Sequence, residues 1–423
     1  MNKVLIYQVL PRFWGSGRFS DWKSDAFGYL KSLGVTHLYL TGVLRHASCE
    51  SFVKGDPGSP YAICDYYDVN PYLADCEDKR MDEFEKLIRR AHASGLKVII
   101  DFVPNHVARN YADSHGGIPH FDYCDYDWTD TLKINYSDPR TAAAMTDILR
   151  FWAGKGVDGF RCDMVELVSV EFFSGAITIL KKDFPDLLFV AEVYDKNNYS
   201  RYVHDARFDL LYDKSGVYDL LRATLCHGAS AESLTWNWQV LGPLQGAMLG
   251  FLENHDEQRV ASTAFLSAPE KAYAAVAFEA LFSDASFMLY AGQEVGEDAS
   301  GSSDGRTSIF DSTHVDVMER RRGNPVLRRY RQILGHLSIP AFASGGNWDL
   351  CYCQDPEGGF DRSRHFAFLR YSADECWIVF CNFSSESATV RIAIPAEAQK
   401  ICHAPLSSVE LSAAAWDAGI VKL

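Results

Sequence analysis

Short apolar runs alternate with helical patterns over the first 290 of the 423 residues, and that rhythm leaves few folds open. Residues 4–9 and 36–41 read as strands. The run 97–103 is apolar up to Asp101, as a strand buried on both faces should be. Further strand candidates are 157–162, 187–193, 208–212, 248–252 and 286–290. That makes about eight, the number that closes a parallel (β/α)₈ barrel. Between them, residues 82–94 put Phe84, Leu87, Ile88 and Ala91 on one helical stripe, and Gly95 follows as a stop. Another helix opens at Asp138-Pro139, a cap residue followed by Pro at the first helical position, with Met145, Ile148, Leu149 and Trp152 as its stripe.

Two stretches break the rhythm. Residues 107–135 hold Gly116, Gly117, Pro119, several Asp and several aromatic side chains without a clear period. They read as an excursion from the end of the third strand, too aromatic to be disordered. Past Pro340 the helical period is lost. Residues 365–371, 377–383 and 389–394 look like strands joined by polar turns, and Val390, Ile392 and Ile394 alternate with Thr389, Arg391 and Ala393. The expected organisation is a catalytic barrel from 1–106 and 138–338, an insertion at 107–137, and a C-terminal antiparallel β-sandwich domain at 339–423.

Chemistry in a parallel barrel gathers at the C-terminal ends of the strands. The third strand candidate runs into DFVPNH at 101–106 and the fourth ends GFRCD at 159–163. The fifth ends at Glu192, and the seventh runs into FLENHD at 251–256. A single Asp at such a place is commonly a helix cap. Carboxylates at four separate strand ends, with His106, His255 and Arg161 among them, make an improbable set of caps. Arg161 lies two residues before Asp163, so both point to one side of their strand. A guanidinium there keeps a neighbouring carboxylate ionised and repels a metal cation. One ionised carboxylate with a second, protonatable one is the equipment of glycoside hydrolysis.

These motifs, in this order, resemble the α-amylase family of glycoside hydrolases. Supporting matches are YAICDY at 61–66, IYQVLP at 6–11 and NYSDP at 135–139. The resemblance implies a (β/α)₈ barrel and a retaining α-glycoside hydrolase acting on starch or maltodextrin-type oligosaccharides by double displacement. Transfer to another sugar, or isomerisation of a disaccharide such as trehalose or sucrose, stays open beside it. A non-catalytic binding or assembly protein on the same barrel is a third reading, of which Asp163, Glu192 and Asp256 are the sequence's counter-argument. The resemblance makes Asp163 the nucleophile, Glu192 the acid/base and Asp256 the third catalytic carboxylate. It places Tyr61, Asp101, His106, Arg161 and His255 on the bound sugar or its supports, with Arg259 either reaching the site or forming a surface ion pair.

The sequence also departs from that family. Met164 stands where many relatives carry Ala or Val, which leaves α-1,4 against α-1,6 cleavage open, and Glu166 replaces residues that in many amylases contact the product side. Asn105 matches a calcium ligand of many relatives. A structural calcium would draw on Asp113, Asp122, Asp125 or Asp127, and no other cofactor is implied. Lys plus Arg is 41 and Asp plus Glu is 56, a net charge of −15. Such a balance argues against nucleic acid and against an anionic membrane as partners, and suits a neutral glucan. No secretory signal or membrane span is read, and 11 scattered cysteines fit a reducing compartment, so a cytoplasmic location is expected. Cys351 and Cys353 are expected at alternating strand positions rather than on zinc.

Overall fold

The computed structural model describes residues 3–111, 117–402 and 406–423. Its centre is a closed barrel of eight strands: β1 (Leu5–Val9), β2 (His37–Leu40), β3 (Lys97–Phe102), β4 (Gly159–Cys162), β5 (Leu188–Ala191), β6 (Leu210–Tyr212), β7 (Met248–Phe251) and β8 (Ser286–Tyr290). Each strand neighbours the next in chain order, and β8 closes on β1. The pairings β1–β2, β2–β3, β3–β4, β4–β5, β5–β6 and β7–β8 are parallel.

Nearly every barrel-strand residue is buried, which is why the strands read as continuous apolar runs. The helices follow their stripes. Arg80–Ala93 buries Phe84, Leu87, Ile88 and Ala91. Pro139–Gly154 is capped by Asp138, whose side chain accepts from the Arg140 backbone N–H. At the start of β4 only Gly fits, because a Cβ on Gly159 would lie 2.7 Å from the Leu188 carbonyl oxygen.

The chain divides into two compact units, one of residues 6–212 and 307–320, the other of 1–5, 213–306 and 321–423. In the first, Trp14 stacks on Trp22, centroids 4.8 Å apart, and both are buried. Two short antiparallel pairs extend it. Leu44–His46 pairs with Ile63–Val69, and His106–Ala108 pairs with Thr131–Lys133. The excursion after β3 therefore contains a ladder that sequence periodicity did not show. Three-residue strands are too short to carry a period.

The second unit ends in antiparallel structure. β9 (Gly346–Asp349), β10 (His365–Tyr371), β11 (Cys376–Asn382) and β14 (Ala418–Lys422) form one sheet, and β12 (Ala388–Ala393) pairs with β13 (Ser408–Ala413). The alternation at 389–394 holds, with Val390 and Ile392 buried. Cys351–Cys353 is instead a 3₁₀ turn, so the two cysteines are not alternating strand positions. The Asp349 carboxylate accepts from the Cys351 backbone N–H and sets that turn. Among the described residues no helix is long and apolar enough to cross a membrane.

Buried histidines in the first unit, His37 and His46 among them, make its stability acid-sensitive. His37 and His46 are pushed down from 6.5 to about 4 and about 3, burial being the first cause. Unfolding returns both to the ordinary value, so the unfolded chain binds more protons between pH 6.5 and these folded values. Stability is expected to fall as pH drops through that window. Urea midpoints taken from neutral pH down to about 4.5 should show a flatter decline for His37→Asn than for the native chain. Parallel declines would contradict the assignment.

Candidate active site

Three neighbouring strands build the centre. Asp101 on β3 stands in register with Arg161 on β4, and Arg161 with Val190 on β5. Asp163 and Glu192 follow the ends of β4 and β5, their backbone N–H groups donating to Phe102 and Cys162 carbonyls. Four of the predicted residues, Tyr61, Asp101, Asp163 and Glu192, thus meet around the guanidinium of a fifth, Arg161. Arg161 Nη1 donates to Asp163 Oδ1 at 2.8 Å and lies 3.5 Å from Asp101 Oδ1. Its Nη2 stands 2.5 Å from Glu192 Oε1, an ion pair without hydrogen-bond geometry. The Tyr61 and Tyr212 rings lie under the same group, centroids 5.5 and 5.4 Å away.

Arg161 is 1% exposed. Burial alone would lower its pKa, yet Glu192 and the surrounding tyrosines hold it well above the ordinary value. It therefore stays a cation, and a buried cation needs buried anions. Asp101 is braced in turn by Tyr39, whose hydroxyl donates to Oδ1 at 2.5 Å, and by the Gly42 backbone N–H at 3.2 Å.

Glu192 is fixed from three sides. Besides Arg161, the Tyr194 hydroxyl donates to Oε1 at 3.0 Å and the Met164 backbone N–H to Oε2 at 2.8 Å. Met164 reaches that position with φ 43° and ψ 48°, a left-handed conformation that costs about 1–3 kcal/mol for a residue with a Cβ. Backbone strain is thus stored where a carboxylate is aimed. The side chain of Glu166 is taken up by the loop that follows Glu192. It accepts from the backbone N–H groups of Tyr194 and Asp195 and from Asn198, and so clamps the loop that carries Tyr194.

His106 is 4% exposed and its pKa falls to about 4, burial first, against the pull of Asp130 and Asp125. Its neutral ring bonds the Tyr61 backbone and packs on Trp128, centroids 5.3 Å apart. Asn105 donates through Nδ2 to Asp125 Oδ2 at 2.9 Å. Of the other acidic partners expected for a calcium, Asp122 and Asp127 are exposed and Asp113 lies outside the described residues.

The remaining predicted residues belong to the other compact unit, after β7. His255 is buried, with Nε2 2.9 Å from Asp256 Oδ2, and the Asp256 side chain is 41% exposed. Asn254 Oδ1 accepts from the Asp256 and Glu257 N–H groups and turns the chain there. Arg306 Nε donates to the Asp256 carbonyl. Arg259 forms no surface ion pair. It is fully buried, donates to Glu253 Oε2 at 2.8 Å, and lies 4.0 Å from the Tyr290 ring centroid. It supports the segment from Glu253 to Asp256 from within.

Sequence reading missed Tyr39, Tyr194, Trp128 and the Met164 N–H. The first lay inside a strand candidate, where an inward hydroxyl one strand from Asp101 was the available signal. The Met164 contact is made by backbone and left no side-chain trace.

Eight parallel strands closed into a barrel, with carboxylates following β4, β5 and β7, define a (β/α)₈ barrel. The family described as "Alpha amylase, catalytic domain" matches residues 21–131 and 120–324, well over half of the sequence. The chain belongs to that family. It is similar to Alpha-amylase 3 of Dictyoglomus thermophilum, 26% identical over 343 residues, 71% of this chain and 65% of that protein. It is also similar to the human amino acid transporter heavy chain SLC3A1, 26% identical over 263 residues, 52% of this chain and 35% of that protein. The chain thus spans less than two thirds of the length of these relatives. An α-amylase structure from Lactobacillus plantarum shares the fold, with TM-score 0.78 and 21% identity over 100% of this chain and 98% of that one.

Proposed function

We propose that this chain is a retaining α-glucan-active enzyme that hydrolyses α-glucosidic bonds in maltodextrin-type oligosaccharides. A chain similar to a transporter heavy chain as well as to amylases owes its activity to its site and not to its fold. The observation that carries it is Arg161 set between Asp163 and Glu192, with Met164 and Tyr194 aiming the second carboxylate.

In the first step an Asp163 oxygen attacks the anomeric carbon while Glu192 protonates the departing glycosidic oxygen. The bond to the leaving sugar breaks and a glycosyl ester on Asp163 forms. In the second, Glu192 takes a proton from water, the water oxygen attacks the same carbon, and Asp163 leaves as a carboxylate. Two inversions give net retention. Tyr61 offers its ring to the apolar face of the sugar. The neutral His106 ring supplies a group that hydrogen-bonds a sugar hydroxyl. A sugar hydroxyl in place of water would give transfer through the same atoms.

Proton NMR of the first product from maltotriose tests the mechanism. The α-anomer is expected first, and a β-anomer would refute Asp163 as nucleophile. Rates on maltose, maltotriose, isomaltose, trehalose and sucrose would then set linkage and substrate. Absence of turnover on all five would reject the enzyme reading in favour of a binding protein.

A further inference from the structure

The family resemblance leads one to expect a calcium ion at Asn105, and the residues around Asn105 do not fit one. A calcium ion takes about six to eight oxygen donors. Of the acidic side chains within the described residues, Asp125 is the one bonded to Asn105, and both of its oxygens are already engaged. Lys133 Nζ donates to Oδ1 at 2.9 Å and to Oδ2 at 2.8 Å. Asn105 turns its amide nitrogen toward this carboxylate, as the partner requires, since its oxygen would be repelled there. Among the described residues no group of three or more His, Cys, Asp or Glu side chains could hold a metal ion.

The ammonium is held in place by its own backbone. Lys133 pairs across the short ladder with His106. Its N–H donates to the Tyr123 carbonyl and its carbonyl accepts from Phe121, each at 2.8 Å. The next residue, Ile134, donates to the Asn105 carbonyl at 2.9 Å. Lys133 therefore stands against His106 and Asn105 in a segment where Asp125 and Asp130 both bear electrostatically on the His106 ring. One positive charge is what this acidic corner needs, and the lysine brings it covalently.

We propose that the Lys133 ammonium replaces a bound cation beneath His106, so that Asp125, Asn105 and the ladder carrying His106 are ordered without calcium. Lys133 is a positioning residue that acts through Asp125 and Asn105. The proposal concerns the fold of this corner and stands whether or not the glucan reading does.

The test uses the full chain, dialysed against a chelator and then returned to chelator-free buffer. Calorimetric titration with CaCl₂ should show no saturable site, and the thermal midpoint should be the same with a chelator as with millimolar CaCl₂. A stoichiometric site that raises the midpoint and disappears in Asn105→Ala would overturn the proposal. Two variants test the charge itself. Lys133→Met should lower the midpoint by about 2–4 °C with or without calcium. Lys133→Asp should lower it further and recover with CaCl₂, because the corner then offers two carboxylates to a cation. A Lys133→Met protein as stable as the native chain, or a Lys133→Asp protein indifferent to calcium, would each show that the ammonium carries no such role.

Discussion

Replacing Asp163 with Asn should lower turnover on maltodextrin by about 10⁴-fold or more, because the amide keeps the shape and loses the nucleophilic oxygen anion. Glu192→Gln should fall by about 10²–10⁴-fold on natural sugars, whose leaving groups need a proton. The two variants separate on an aryl α-glucoside with a good leaving group. That substrate departs unprotonated, so it should recover much of the first-step rate in Glu192→Gln and none in Asp163→Asn. Pre-steady-state release of the phenol checks both. Rescue of Asp163→Asn alone would reverse the two roles, and near-native turnover in both would place the chemistry elsewhere.

The second large effect is expected at Arg161. Arg161→Met keeps much of the volume and removes the one charge touching Asp101, Asp163 and Glu192. Removing one partner of a buried pair leaves uncompensated charge and costs about 3–5 kcal/mol. The sign of its pH dependence follows. Without the cation these carboxyls would have folded pKa values above their unfolded ones, so the folded state would bind the extra protons. The variant should then regain stability as pH falls toward the carboxyl range, and lose it as pH rises. Denaturant midpoints at pH about 5 and about 8 measure this difference directly. Adding Asp163→Asn to Arg161→Met should restore part of the loss at the higher pH. A double variant no more stable than the single would mean that the guanidinium's packing, not its charge, supports the site.

How far the sequence showed this arrangement depends on what kind of signal each part leaves. The barrel strands were legible because burial on both faces makes them apolar without interruption, as in Val98, Ile99 and Ile100. Asp101, Asp163 and Glu192 were legible because each closes such a run. Strand parity put Arg161 beside Asp163, two residues apart, whereas the contacts of Asp101 and Glu192 with the same guanidinium came from neighbouring strands. Contacts made by backbone or across loops left no such mark. Met164 aims its N–H through a left-handed turn that spacing does not encode. Glu166 was read only as a departure from the family, because its clamp on residues 194–198 depends on how two loops meet. Lys133 and Asp125 lie eight residues apart in a stretch without period, and only the short ladder brings their charges together. Arg259 lay close to a motif and was left open between the site and a surface ion pair, whereas its partner Glu253 sits within the motif itself and both are buried.

The central claim is that Asp163 forms a covalent bond to the sugar. A slow-turnover fluorinated α-glucosyl fluoride tests it most directly, since fluoride departs without a proton while the ring fluorine slows hydrolysis of the ester. After incubation, intact-protein mass spectrometry should show one added glycosyl group per chain, and peptide mapping should place it on Asp163. The Asp163→Asn protein should take up none. A glycosyl group on any other residue, or uptake by Asp163→Asn equal to that of the native chain, would contradict the account.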